Sequence, residues 1–456
     1  MGKVLWRLAT PNVLAVAMTS GTTFADAWFI GQLGTAALAS LALVFPFLTL
    51  MQMMAGGAIG GGTTSAVARA FGAGDQAKAE SLAWHAFLIA VSMSCFFTVV
   101  LGVFSRPIFQ LLGGEGEALA GAVAYSRIVF GGAAATWLIF VISAVFRGTG
   151  DTVTPARAII SAALVQIPMS GALTLGWFGL PSLGVMGPAT AWVICQGTGA
   201  VYLILTLLSG KARLRMRPQA FSWAPFKDIM KVGGLGLLNS LCIAMTVVVV
   251  TGFVGRYGTA ALAGYGLGAR LELMLVPMAF GIGGALTATV GVNVGAGQFA
   301  RARRFAWVGA GMTMIGTGII GLTAALMPNL WLDMFTADPD AYRFGVRYLV
   351  IAALFYGIFG AGQALYFASQ GTGKMVLPVS VTVLRFLTVT AMGSIVVFNN
   401  LDISKLFIAV AIGLTIMGVG QAFCVFAPAW REAHSLKRQE TATTPEPVAA
   451  LPRKRT

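Results

Sequence analysis

Stretches nearly free of charge return along the whole length of this chain, each close to the roughly 20 residues that a helix needs to cross a bilayer. Residues 88–104, 185–209, 232–255 and 406–428 are examples. Of the 456 residues, 57% are hydrophobic and only 10% charged, where a soluble domain carries about 25% charged. A water-soluble core cannot hide that much apolar surface. The runs do not alternate with a period of two, which argues against a transmembrane barrel. The chain is therefore read as an all-α, polytopic membrane protein.

Loop signals divide the runs into about twelve spans. Six start near Leu8, Leu38, Ser81, Ala120, Pro155 and Gly184, and six more near Ile229, Ala260, Phe305, Arg343, Pro378 and Leu406. The first run is long and ends in no small-residue cleavage site, so it is taken as the first span and not as a signal peptide. Every other loop is basic: Arg69 and Lys78; Arg147 and Arg157; Lys211, Arg213, Arg215, Arg217 and Lys227; Arg301, Arg303 and Arg304; and Lys374. The intervening loops hold Glu115, Glu117, Asp333, Asp338, Asp340 and Asp402. The positive-inside rule then places both termini in the cytoplasm, in the plasma (cell inner) membrane of a prokaryote. The same rule accounts for the net charge of +15 without nucleic acid, for which no binding motif is present. The partners expected instead are membrane lipids, small molecules and ions, with the chain acting as a monomer. Cys95, Cys195, Cys242 and Cys424 all fall in apolar runs, and His85 and His434 are far apart. We expect neither a disulfide framework nor a metal site.

The chain also repeats itself. "IGQLGTAALA" (30–39) returns as "VGRYGTAALA" (254–263), "FGAGDQAKA" (71–79) as "VGAGQFARA" (294–302), and "RGTGDTVTP" (147–155) as "QGTGKMVLP" (370–378). The offsets are 258 − 34 = 224, 295 − 72 = 223 and 371 − 148 = 223. Each half holds six spans, so both enter the membrane in the same sense, related by a pseudo-two-fold axis along the membrane normal. Parallel repeats of this kind build transporters with the substrate site between the halves. The expected division is an N-lobe over 1–210, a cytoplasmic linker over 211–228, a C-lobe over 229–430 and a polar, disordered tail over 431–456. Glycine-rich stretches at 53–65 and 280–291 occupy matching places, where small residues let helices approach closely. "GAG" and "GTG" lack the spacing and Lys-Ser/Thr pair of a phosphate loop.

An early Asp followed by "GQLGTAALA", a glycine-rich second helix ending in "GAG", and "RGTGDT" resemble the multidrug and toxic compound extrusion (MATE) family. "GYGLGARLE", "VPMAFGIGGA" and "NVGAG" in the second half do so too, with "ARLE" and "NVGAG" most similar to the prokaryotic damage-inducible (DinF-like) branch. The likeness spans roughly 8–428. It implies a two-lobed, V-shaped antiporter, not an enzyme, that exports organic, often cationic, drugs or metabolites in exchange for H⁺ or Na⁺, with no cofactor. It also implies that Asp26 is the first-helix acid that couples the cation. Some family members complete that site with an Asn and an Asp-Pro pair on the fifth helix. Here Ala163 and Ile167 stand in those places, before the retained Pro168, while Gln166 remains as a polar neighbour. Fewer oxygens tilt the expectation towards H⁺ over Na⁺.

Only Asp26 and Glu272 are acids placed inside spans, where an ionised carboxylate costs roughly 2.5–3.5 kcal/mol and faces a cavity or a partner. The repeat gives neither a copy: Asp26 maps to Val250 (26 + 224) and Glu272 to Leu48 (272 − 224). Thr19, Thr22 and Thr23 share the helical face of Asp26; they form either a polar pocket around it or bonds back to their own helix carbonyls. Asp26 itself is either a cavity acid or an interfacial residue near the outer helix end. Protonation of Asp26 would repack the first helix and displace substrate. Glu272 is either part of a substrate cavity with Tyr265 or half of a structural ion pair, for which Arg385 suits better than Arg270. Gln52 and Asn239 complete the expected cavity lining. The alternative function is a lipid-linked precursor flippase, disfavoured because few basic residues lie in the spans. A passive channel would need a matched polar ring.

Overall fold

The computed structural model describes residues 1–179, 181–336 and 338–430; the expected tail and His434 lie outside them. Twelve spans follow in order: α1 (Gly2–Gly31), α2 (Thr35–Gly72), α3 (Gln76–Val103), α4 (Gly116–Gly131 with Ala133–Gly148), α5 (Val153–Leu175), α6 (Met186–Leu208), α7 (Trp223–Gly255), α8 (Thr259–Gly295), α9 (Phe299–Leu326), α10 (Pro339–Thr372), α11 (Val376–Phe398) and α12 (Ile403–Cys424). No strand occurs among the described residues. The two segments of α4 meet at a 44° bend. Pro11, Pro46 and Pro168 lie within α1, α2 and α5. A π-helical turn over Met53–Ile59 sits at the middle of α2.

The repeat found in the sequence is a repeat of turns. Gly34 and Gly258 open α2 and α8 at φ 111° and 100°, Gly74 and Gly297 lie at 76° and 69°, and Gly150 and Gly373 at 79° and 78°. Each repeated motif therefore carries a glycine in the left-handed region, where a side chain is strained. The acids expected in loops serve as caps: Asp75, Asp338 and Asp402 accept backbone N–H groups at the starts of α3, α10 and α12. Asp402 also meets Arg347 at 3.5 Å, and its bonds from Ser404 hold its carboxyl below the usual range. The helix offset stays at 223 from α3 to α9 (299 − 76) and falls to 217 from α6 to α12 (403 − 186). The loop before the sixth helix accounts for this, being 176–185 in one half and 399–402 in the other.

Each half has its own apolar core, and the first helix of each half crosses between them. Ala15 and Ile30 of α1 belong to the N-terminal core, but Leu5 and Ala9 pack with Leu286, Phe305 and Leu365 of the other half. Ile229 of α7 correspondingly joins the N-terminal core. Helix α7 starts at Trp223, six residues before the expected Ile229, so Asp228 lies inside its second turn and not in a loop. Before it, 209–222 folds back: Ser222 donates its N–H to His85 Nε2 at 2.8 Å, and Trp84 donates to the Gln219 carbonyl at 2.8 Å. His85 is thus a buried anchor for this segment.

The halves meet at a seam lined by glycine. A Cβ on Gly72 would overlap the Val292 carbonyl, one on Gly295 the Arg69 carbonyl, and one on Gly236 would sit 2.8 Å from Ala58 Cα. Backbones approach this closely only where side chains are absent. Polar bonds lock the same end. Arg69 pairs with Asp228 at 2.8 Å and Lys78 with Asp228 at 3.3 Å. Ser65 donates to the Gln370 carbonyl, and Gln370 donates to the Gly57 carbonyl at 3.0 Å. The Gly72, Gly295, Arg69 and Lys78 contacts lie at the end that carries loops 73–75 and 296–298, and the Gly57 and Ala58 contacts extend the seam to the middle of α2. We expect Gly72→Val to destabilise the detergent-solubilised protein by about 1–3 kcal/mol through overpacking. Gly311→Val, whose Cβ meets nothing within 4 Å, should leave it unchanged. Equal thermal midpoints for the two variants would count against the backbone contact.

Candidate functional site

Asp26 lies on the inward stripe of α1 with Thr22 and Phe29, while Phe24 and Trp28 on the opposite side are exposed to the lipid layer. Although the helix ends only five positions later, at Gly31, the Asp26 side chain is 6% exposed. The carboxylate turns into the N-terminal half and away from the molecular surface. Ser170 donates its hydroxyl to Asp26 Oδ1 at 2.5 Å, and Gln166 donates its amide to Oδ2 at 3.3 Å. Both come from α5, one turn apart on either side of Pro168. Gly171 makes this approach possible, since a Cβ there would lie 2.8 Å from the Phe29 ring. Tyr125 and Cys195 are within electrostatic reach of Asp26.

The three threonines are placed differently from the expected pocket. Thr19 donates to the Ala15 carbonyl at 3.0 Å, Thr22 to the Thr19 carbonyl at 2.7 Å and Thr23 to the Thr19 carbonyl at 3.2 Å. Their hydroxyls satisfy the helix backbone, the second of the two alternatives, and Asp26 draws its partners from α5 instead. Gln166 was legible as a compensating polar group. Ser170 was missed, although it follows Gln166 by four residues and so shares its face. Ala163 lies on that face too and brings no donor.

Glu272 is in the other half and does not join Asp26. Tyr348 donates to its Oε2 at 2.7 Å, and Arg385 Nη2 lies 3.6 Å from Oε1. The expected partner Arg385 is thus the one found. Its guanidinium also sits 5.2 Å over the Phe359 ring, a favourable cation–π position. Gly268, one turn before Glu272, has no Cβ to obstruct the Tyr348 ring. Tyr265 is buried edge-on to Tyr348, with ring centroids 5.2 Å apart. Asn239 is buried and accepts from Thr382 at 2.8 Å, which ties α7 to α11. Gln52 is half-buried at the edge of the π-helical turn. Of the five expected cavity residues, the structure brings only Tyr265 and Glu272 into one cluster. Tyr348, at its centre, was missed: Arg343 and Arg347 drew the polar reading of this stretch to the helix start. No group of three or more metal-ligating side chains occurs among the described residues.

Two parallel six-helix halves, closed against each other at one end and holding Asp26 and Glu272 within their spans, have the architecture of a secondary transporter. The MatE family model matches residues 11–171 and again 237–396, once in each half. The chain belongs to the MatE family, and is an integral membrane transporter. Similar curated proteins include the FAD transporter of Shewanella oneidensis, 25% identical over 92% of this chain and 93% of that protein. The probable multidrug resistance protein NorM of Thermotoga maritima is 26% identical over 85% and 83%. The multidrug resistance protein PmpM of Pseudomonas aeruginosa is 28% identical over 77% and 75%. Among solved structures, a MOP superfamily transporter of Pyrococcus furiosus superposes with TM-score 0.87 at 20% identity, covering 96% of both chains. An outward-facing MATE transporter of the same superfamily gives 0.85 at 20% identity, over 96% and 97%.

Removing one partner of a buried ion pair costs about 3–5 kcal/mol. Arg385→Met should lower unfolding stability on that scale, and Arg385→Met with Glu272→Gln should recover most of the loss. No recovery in the double variant would mean that Arg385 acts through its Phe359 contact instead.

Proposed function

We infer that this transporter is a cation-coupled antiporter that exports organic, cationic drugs or metabolites by alternating access, with Asp26 as the coupling acid and H⁺ favoured over Na⁺. The carrying observation is the placement of Asp26: a carboxylate sealed inside one half of a two-lobed membrane transporter, held by Ser170 and Gln166. A buried acid on a span is a natural ion relay. Its two neighbours present a hydroxyl and an amide N–H, groups that donate to a carboxylate. Na⁺ would need several oxygens facing it, whereas a proton needs only the carboxylate. Thr19, Thr22 and Thr23 hold the backbone of the same face. Glu272 and Tyr265, with Tyr348 and Arg385, act here as a scaffold of the C-lobe, beside an expected substrate lining that includes Gln52 and Asn239.

The multidrug resistance proteins among the relatives support drugs as cargo, and the FAD transporter supports keeping metabolites beside them. The basic loops support an inner-membrane location in a prokaryote with both termini cytoplasmic. On that orientation the glycine seam closes the cytoplasmic end, and the N-lobe (1–210), linker (211–228) and C-lobe (229–430) open outward as a V.

The test is transport of a fluorescent organic cation in proteoliposomes under an imposed pH or Na⁺ gradient. Wild type should respond to the pH gradient, and Asp26→Asn should fall to the rate of protein-free vesicles under either gradient. Gln166→Leu should retain pH-driven transport. Asp26→Asn moving the dye at the wild-type rate with unchanged pH response would remove Asp26 from coupling. Response of wild type to Na⁺ alone would reverse the choice of ion.

A further inference from the structure

Arg147 stands out by what it lacks. It ends α4 and is 6% exposed, yet no ion pair or hydrogen bond to its guanidinium occurs among the described residues. A guanidinium stays charged in a protein, and an unpaired buried charge costs several kcal/mol. Asn12 on α1 is 7% exposed, and its Nδ2 has no hydrogen-bond partner. The two residues face the same spot: a Cβ on Gly284 of α8 would lie 3.5 Å from Asn12 Nδ2 and 3.8 Å from Arg147 Nε. Around them, Thr19, Phe140 and Phe280 complete a cleft of about 30 Å³ between the two halves, room for about one small polar group.

The repeat indicates that packing does not require this charge. Arg147 maps to Gln370 (147 + 223) and Gly284 to Gly61 (284 − 223). At that equivalent place the Gln370 side chain lies against Gly61 and donates to the Gly57 carbonyl. The neutral side chain closes the seam with a direct bond. The charged one leaves a cleft with donors on two sides, from α4 and α1, and no carboxylate in its lining.

We propose that Arg147 and Asn12 form a binding site for an oxyanion group, a carboxylate or phosphate, in the seam between the lobes. The guanidinium supplies a planar fork of donors matched to such a group, and the Asn12 amide supplies another. The aromatic rings of Phe140 and Phe280 exclude water around them. The oxyanion belongs either to the transported molecule or to a free anion that stabilises the closed seam; the first possibility rests on the transport reading above, and the second does not.

The first measurement is thermal unfolding of the full chain in detergent, titrated with sodium pyrophosphate against NaCl of matched ionic strength. A ligand bound only by the native state raises the midpoint saturably. Wild type should show such a rise. Loss of a charge-assisted contact should raise the half-saturating concentration about tenfold in Arg147→Gln, with Arg147→Lys and Asn12→Ala in between. No saturable rise in wild type, or an equal one in Arg147→Gln, overturns the site; Arg147→Lys keeps the comparison available should Arg147→Gln not fold. The second measurement is transport of flavin mononucleotide and riboflavin, one ring system with and without phosphate. Slowing of the phosphorylated flavin alone in Arg147→Gln assigns the oxyanion to the transported molecule. Equal behaviour of both flavins, with the pyrophosphate response weakened, assigns it to a free anion. Failure of the antiporter reading would appear separately, as loss of gradient-driven dye transport in wild type.

Discussion

The contact on which the rest of the structure depends is the meeting of two helix backbones, α2 and α8, at one end of the molecule. Lipid tails are as apolar as leucine, so no hydrophobic force pulls membrane helices together; close packing and internal hydrogen bonds must do so. Gly72 against Val292 and Gly295 against Arg69 supply that packing in a pseudo-symmetric pair. Arg69 and Asp228 then add a charge-assisted bond across the same end. Because α1 and α7 each begin in the opposite core, the seam is clasped from both sides. The halves are otherwise separate cores, which leaves the far end without a comparable tie among the described residues.

On this symmetric frame the chemistry is asymmetric, and the pseudo-equivalent positions make the difference readable. Asp26, Gln166 and Ser170 correspond to Val250, Val389 and Gly393, so the whole N-terminal site is missing from the other half. Glu272 and Arg385 correspond to Leu48 and Ala162, so the C-terminal pair is missing from the first. Tyr348 is the exception, for it maps to Tyr125. Both tyrosines are buried, Tyr125 near Asp26 and Tyr348 bonded to Glu272. A tyrosine present at the same place beside two acids on different helices belongs to the repeated frame, not to the asymmetric chemistry.

Much of this was legible before any coordinates. Run length gave the spans, and three repeated motifs gave the duplication, because each encodes a turn that only glycine makes easily. The inward direction of Asp26 was legible from a cost argument, since a carboxylate does not face lipid. Its partners were not. In a soluble helix the polar face is the outer face, so periodicity orients the helix. In a membrane helix both faces are apolar, and the rule loses its reference. The threonines on the face of Asp26 therefore looked like its neighbours, while the donors came from another helix at a separation of 140 residues or more. Local back-bonding, always available to a threonine hydroxyl in a helix, had the shorter reach and took those groups first. Asp228 was misplaced for a related reason: Trp223 and Phe226 carry α7 beyond the apolar run, into a polar segment that hydropathy reads as linker.

Helix α1 supplies the connection between the acid and the seam. Its first third is packed in the core of the other half through Leu5 and Ala9, and Asp26 lies 17 residues beyond Ala9, about 25 Å along a helix. Between them Pro11 removes one ladder hydrogen bond, a natural place for the rod to flex. On the reading that Asp26 exchanges an ion, gain or loss of charge changes its bonds to Ser170 and Gln166, and so the fit of α1 against α5. The near end of α1 cannot follow freely, because the opposite core grips it. A change in fit at the far end must then appear either as bending at Pro11 or as sliding at the glycine seam. Glycine contacts suit sliding, since they hold through shape and carry no interlocked side chains. The same seam that closes one end of the molecule is thereby the element whose two arrangements an ion at Asp26 could bias, which is what coupling between an ion site and a gate requires.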